Sequence, residues 1–409
     1  MTKNVLIIGG GLVGLAIARE VAQLADYDVY LTEKESNLGE HASGRNNGVN
    51  HSGIYYPKDS LKARLCVLGN RLNQQYFPQW NVPLATTGKY IVALDNKEDF
   101  ILEDLIQRGI DNGIPGLSKL SGAEVKEDDL KHQRKGEPNI RCYSAIHIPT
   151  AGIFDGATYI QTLQRLAKDS GVHIVKNTEI VGIERKAQQF TITTRETRKR
   201  QEHSTEEQAD FDLIINAAGT WSAKIAKMVN PDSEYEIVPV RGEGACFYQT
   251  RLDLMVYSSV YPIPIEHPLP GGGSTFTTGV HLSPTFQESP SGNKIVVSPL
   301  LVNPQSEKDY AQTIPLEQFY HRVHPFFPSL NLEDLHLDQS GISAKLKDHR
   351  DFVIEWDQSA QNCINLLGID SPGATSALAI AMIVRNMIKH NYFDARGYLS
   401  PLKPFKKKP

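Results

Sequence analysis

The sequence predicts an α/β protein. One part is a Rossmann-like domain, a parallel sheet wound with helices around a dinucleotide site; the other is a second domain of mixed-sheet α+β type. Three stretches point to the first part. Residues 5–14, VLIIGGGLVG, read as a buried strand that breaks into a glycine turn and then a helix. Residues 211–221, FDLIINAAGTW, read as a second buried strand ending in small residues, and residues 365–376, NLLGIDSPGATS, run from a strand into a helix. The second part is read from 237–340, where strand-like runs alternate with Pro and Gly turns.

The first stretch is the most specific. Its glycines fall as G-x-G-x-x-G at Gly9, Gly11 and Gly14. Gly9 permits a tight turn, Gly11 lets a pyrophosphate approach the backbone, and Gly14 lets helix and strand pack closely. Leu12 and Val13 sit between them at the helix start, where free N–H groups face phosphates. A second strand over 29–32 ends in Glu33, followed by Lys34. An acid there can hold an adenosine ribose by both hydroxyls and repels a 2′-phosphate.

Composition bounds the rest. A chain of 409 residues suggests two or three domains. With Lys+Arg 43 against Asp+Glu 47, it has no nucleic-acid footprint. Cys66, Cys142, Cys246 and Cys363 are scattered, which points to neither a metal site nor a disulfide framework. The first strand begins too early to leave room for a signal peptide, and no apolar run is long enough for a membrane span. A cytoplasmic protein is the expectation. The basic tail reads as a disordered end, with membrane contact at most peripheral.

In chain order, helices are expected over 15–24, 61–77, 100–113, 159–170, 316–323 and 377–389. Strands are expected over 84–95, 172–175, 179–184, 237–241, 245–248, 275–278 and 295–298. Residues 36–60, rich in Gly, Ser, Asn and His, suit a ligand-binding loop. Residues 115–140 read as polar and irregular, 195–210 as a solvated hairpin tip, and 268–274 as a flexible loop. The expected division is a cofactor domain from 1–85, 146–221 and 339–395, a substrate domain from 86–145 and 222–338, and a tail over 396–409.

The segments Glu33-Lys34-Glu35, SGRNNG at 43–48, HSGIYY at 51–56 and SLKARLC at 60–66 resemble L-2-hydroxyglutarate dehydrogenase/oxidase proteins. These belong to the FAD-dependent D-amino-acid-oxidase-like superfamily, and the resemblance runs over nearly the whole chain. It implies a glutathione-reductase-like FAD-binding domain and oxidation of a 2-hydroxy acid by hydride transfer from Cα to flavin N5. Some relatives link FAD through a histidine, a place His51 could take, and non-covalent FAD is the expectation. The implied cofactor contacts are Gly9, Gly11, Leu12, Val13, Gly14, Glu33, Lys34, Ser43, Arg45, Asn46, Asn47 and Gly48, with Ile180, Ala218, Gly219 and Trp221. Gly368, Ser371, Gly373, Ala374 and Thr375 complete them near the C-terminus. The implied substrate contacts are Tyr55, Tyr56, Tyr261, Arg241 and Lys345. His51 and His281 are the candidate bases, and no metal is implied.

The chain departs from the family at one telling place. Ser343 stands where the family carries an arginine expected to hold the substrate carboxylate. A hydroxyl cannot supply a bidentate guanidinium contact. If 340–346 is a strand, Ser343 and Lys345 share a face, and Lys345 is expected to hold the anion instead. Three readings stay open: oxidation of L-2-hydroxyglutarate to 2-oxoglutarate, a superfamily activity on an amino acid or glycerol 3-phosphate, or a flavin-binding protein with impaired turnover. The electron acceptor is oxygen, a quinone or an electron-transfer protein.

Overall fold

Apolar strands that pair in parallel build the first sheet. Its order is Val353–Trp356, Cys363–Leu367, Leu213–Asn216, Lys3–Ile8, Tyr27–Glu33 and His173–Lys176. Val5 stands opposite both Leu213 and Val29, and only the edge strand Val353–Trp356 runs antiparallel. The inner strands Leu213–Asn216 and Cys363–Leu367 are buried throughout, and Lys3–Ile8 from Val5 on, which is why they read as apolar runs. The helices Leu12–Val21, Leu61–Trp80, Gly156–Asp169 and Gly373–His390 contribute to one core cluster with them. Gly9, Glu33, Ala217 and Gly368 lie at or just past the C-terminal ends of parallel strands, where ligands of such sheets bind.

This is a computed structural model, which describes residues 2–390 apart from 133, 199–204, 269–273 and 290–291. The expected tail over 396–409, the tip of the 195–210 charge run and most of the 268–274 loop lie outside the described residues. Among the described residues, no helix is long and apolar enough to cross a membrane.

The second sheet has eight strands. Their order is His336–Leu346, Ile237–Tyr248, Gly292–Val302, His281–Ser289, Ser259–Pro262, Lys89–Ala93, Ser144–Ile148 and Ser118–Ser121. It is mixed, because Ser259–Pro262 runs parallel to Lys89–Ala93 while its other pairings are antiparallel. Strand partners share a face and alternate residues oppose, so the register sorts its side chains. Tyr90, Val260, Leu282 and Val297 lie on one face, in a core with Phe319, Val323, Phe326 and Phe327. The opposite face carries Lys89, Ser259, Tyr261, His281 and Ser298. That face meets the 45–55 segment, for Asn47 donates to Ser298 Oγ at 2.6 Å and Tyr55 packs near Tyr261.

Several expected bounds move. Leu61–Trp80 runs past Phe77 with Pro78 inside it, and Asn81 at φ 57° ends it. The 115–140 stretch is not wholly irregular. It holds the strand Ser118–Ser121 and the helix Gly122–Lys126, started by a reciprocal Ser121–Glu124 capping box. Residues 237–248 form one strand, with a register shift between Glu243 and Ala245. Ser144–Ile148 and His336–Leu346 both belong to the second sheet, so the expected boundaries at 146 and 339 cut through strands.

Candidate active site

The glycine turn is shaped as the spacing requires. Gly9 has φ +113°, and a Cβ there would lie 2.5 Å from the Ala217 carbonyl oxygen. A Cβ on Gly14 would lie 2.0 Å from the Gly9 carbonyl oxygen, so helix and turn touch through bare backbone. At Gly11 the nearest atom is the Ser43 hydroxyl, which accepts from the Leu12 N–H at 2.9 Å. Glu33 is buried and fixed: its two carboxylate oxygens accept from the N–H groups of Gly10 (2.8 Å) and Glu35 (2.9 Å). A carboxylate has about four lone-pair sites, so acceptor capacity remains for ribose hydroxyls.

A narrow slot beside this turn is bordered by Gly9, Glu33, Lys34, Ile180, Ala218 and Trp221. Residues drawn from four separate stretches of sequence thus meet in one place. The Lys34 ammonium lies on the Trp221 ring, and burial pulls its pKa down to about 8. The 43–48 loop continues away from the slot and is held by its own side chains. Asn46 donates to the Ser43 carbonyl (2.6 Å) and accepts from the Gly48 N–H (2.9 Å), while Arg45 stacks 3.9 Å from the Tyr310 ring centroid.

The 368–375 segment is tied to the stretch that follows this loop. Thr375 Oγ1 accepts from the His51 N–H and donates to the Val49 carbonyl, each at 3.1 Å. Ser371 Oγ lies 3.4 Å from the Tyr56 hydroxyl. The hydroxyls of Ser371 and Thr375 are therefore engaged by the protein. Gly373 and Ala374 open the helix that follows.

Where the loop crosses the second sheet, His51, Tyr55, Tyr261 and His281 come together. The His281 ring stacks on Tyr261 with centroids 3.8 Å apart and planes within 10°. His281 Nδ1 lies 3.1 Å from the Gly279 carbonyl oxygen. A carbonyl only accepts, so Nδ1 carries the proton and Nε2 keeps its lone pair. That Nε2 is buried without a partner, as is the Tyr55 hydroxyl, while the buried Tyr261 hydroxyl lies beside Ser283 Oγ. Burial, and then the charges of Lys89 and His51, hold His281 well below the ordinary imidazole range. Burial, followed by Lys89, takes His51 down to about 3. Both rings are therefore neutral near pH 7.

Lys89 is the residue that sequence reading passed over. It is 1% exposed, and its ammonium lies 3.4 Å from the Tyr261 ring centroid and 4.4 Å from that of Tyr55. The available signal was a lysine opening the apolar run Lys-Tyr-Ile-Val-Ala, on the same face as Ile91 and Ala93.

Two expected substrate contacts are engaged elsewhere. Arg241 stands opposite Ile342, on the face away from Ser343 and Lys345. Its guanidinium bonds Glu243 (2.8 Å), Asp309 (2.5 Å) and Thr313 (3.1 Å), so it is a buried structural cation and does not join the cluster. Lys345 does share a face with Ser343, as expected, but its ammonium donates to Asp370 at 3.0 Å. The buried Asp370 also pairs with Lys62 at 2.6 Å. Burial pushes the Asp370 carboxyl up, but the two lysines more than reverse this and keep it ionised.

Compared with known proteins, the chain matches the family model for FAD dependent oxidoreductase, DAO, over residues 4–387. It is 30% identical to the mitochondrial L-2-hydroxyglutarate dehydrogenase of Arabidopsis thaliana, with 94% of this chain and 83% of that protein covered. It is 29% identical to L-2-hydroxyglutarate dehydrogenase of Indibacter alkaliphilus, with 93% and 97% covered. Among solved structures it is similar to dithionite-reduced L-alpha-glycerophosphate oxidase from Mycoplasma pneumoniae with FAD bound. There the TM-score is 0.80 at 26% identity, with 95% of each chain covered.

Proposed function

The chain belongs to the DAO family of FAD-dependent oxidoreductases, and from that premise we propose that it oxidises a small 2-hydroxy acid, L-2-hydroxyglutarate, to 2-oxoglutarate. Gly9, Gly11, Gly14 and Glu33 would hold the adenosine and pyrophosphate, with Lys34, Ile180, Ala218 and Trp221 around the adenine. The 43–48 loop and the 368–375 segment would flank the rest. When bound, FAD supplies the acceptor for the hydride that leaves the substrate Cα.

The remaining work falls to the protein's own side chains. A neutral imidazole takes the hydroxyl proton as the Cα–H bond breaks. His281 Nε2 has the free lone pair for this, and its tautomer is fixed by Gly279. His51, also neutral, is the second candidate. The Tyr55 hydroxyl is a buried donor without a partner, suited to a substrate oxygen, and the buried Tyr261 hydroxyl sits next to it beside Ser283. Burial of the cluster excludes water, which strengthens each polar contact inside it.

The buried, unpartnered His281 Nε2 carries this reading, because an alcohol oxidation needs a base held free of other hydrogen bonds. The names of the relatives from Arabidopsis and Indibacter supply the substrate. A second reading, oxidation of glycerol 3-phosphate, is favoured by the likeness to the Mycoplasma glycerophosphate oxidase. A substrate panel mixed anaerobically with the purified flavoprotein tests both. L-2-hydroxyglutarate is expected to bleach the flavin band; bleaching by glycerol 3-phosphate alone would transfer the assignment to the second reading.

A further inference from the structure

We propose that the Lys89 ammonium is the substrate's anion anchor, holding a carboxylate between Tyr55 and Tyr261. This rests on the reading of the buried His51–Tyr55–Tyr261–His281 cluster as a hydroxy-acid site and gives it the cation that Ser343 does not supply. Lys89 lies on the face of the second sheet that meets the 45–55 segment, in register with Ser259 and one residue removed from the apolar face marked by Tyr90. Among the described residues no carboxylate pairs with it; its close neighbours are the two tyrosine rings. Burial holds the Lys89 amine well below the ordinary lysine range. Attraction to the aromatic faces offsets only part of that cost, and an anion brought in by a ligand would restore the ammonium.

The chemistry around it favours a carboxylate. Tyr55 offers an unpartnered neutral hydroxyl donor, and the Tyr261 hydroxyl, beside Ser283, offers a second to accompany one cation. One positive charge with neutral donors matches a carboxylate monoanion, whereas a phosphate dianion calls for further cations. The other lysines of the site, Lys62 and Lys345, share the Asp370 carboxylate. After burial, Lys89 is the next influence that depresses both His51 and His281. A carboxylate bound to Lys89 would cancel that influence and make the imidazoles more basic as substrate arrives.

Binding to the FAD-loaded protein, followed by perturbation of the flavin spectrum, tests this without turnover. The probes are glutarate, which has no hydroxyl to oxidise, its neutral diamide, and inorganic phosphate. In Lys89→Met, with FAD content and Tm unchanged, the glutarate Kd is expected to rise about tenfold or more, while the diamide Kd stays put. Lys89→Arg should restore glutarate binding to within a few-fold. If Lys89→Met fails to fold, Lys89→Gln carries the same expectation. An unchanged glutarate Kd in the folded variant overturns the proposal, and so does a wild type that binds phosphate but not glutarate. If glutarate binding depends on Lys89 while L-2-hydroxyglutarate is not oxidised, the anchor stands and the substrate assignment fails.

Discussion

Glu33 shows how one side chain serves both fold and ligand. Its carboxylate receives two backbone N–H groups at the mouth of the glycine turn. Glu33→Ala removes a charged acceptor from the ribose position and should weaken FAD by about 1.5–3 kcal/mol, measured as FAD affinity of the apoprotein. The histidines give a pH signature. An ordinary imidazole loses its function as a base below pH ~6.5. His51 and His281 are both depressed by burial and by Lys89, so each accepts a proton only at lower pH. The kcat/KM profile should therefore stay flat through pH ~6.5 and not fall there. Glutamine at the true base should cost about 10²–10⁴-fold in kcat, and the other substitution less. The two histidines were legible because their loops carried family-like neighbours. Lys89 was not, since one lysine in an apolar strand carries no local mark of a polar cluster on that face.

At the scale of elements, the strand Ile237–Tyr248 corrects the reading of Arg241. The family resemblance implied a substrate contact, but strand parity puts Arg241 on the far face, against Glu243 and Asp309. Arg241→Met should therefore lower stability, by about 3–5 kcal/mol for a buried pair that loses one partner, and be read as a fall in Tm. Carboxylate affinity of the surviving folded protein should not change. Glu137 makes a second case. It is fully buried, accepts the N–H groups of Tyr257 and Ser258, and burial raises its pKa to about 8. From pH about 4.5 to about 8 the folded chain keeps a proton that the unfolded chain has released, so this group's contribution to stability falls as pH rises. Glu137→Gln should flatten the decline of Tm across that window, each kcal/mol being worth roughly 1 °C for a chain of 409 residues. Neither feature was visible in the sequence, since both depend on which residue faces which across a sheet. The short helix Gly122–Lys126 escaped for another reason: five residues are too few to show a periodicity.

For the whole molecule, we propose that the cofactor domain is assembled from separated segments with the substrate-side sheet threaded between them. Contacts across the junction support this: Asn47 donates to Ser298, Gln339 to the Asn46 carbonyl, and Arg45 to the Ser340 carbonyl. The cofactor side was largely legible, because strand, glycines, helix and acid follow one another locally. The substrate side was legible only as alternating strands; its order, with Lys89–Ala93 beside Ser259–Pro262, joins residues far apart in the chain. Chemistry at this junction is what all the smaller features serve. Its most direct test is an anaerobic titration of the FAD-loaded protein with L-2-hydroxyglutarate, following the flavin band and the 2-oxoglutarate formed. The expected result is full bleaching with one 2-oxoglutarate per flavin. A flavin band left unchanged by L-2-hydroxyglutarate, yet bleached by glycerol 3-phosphate or an amino acid, would contradict the account.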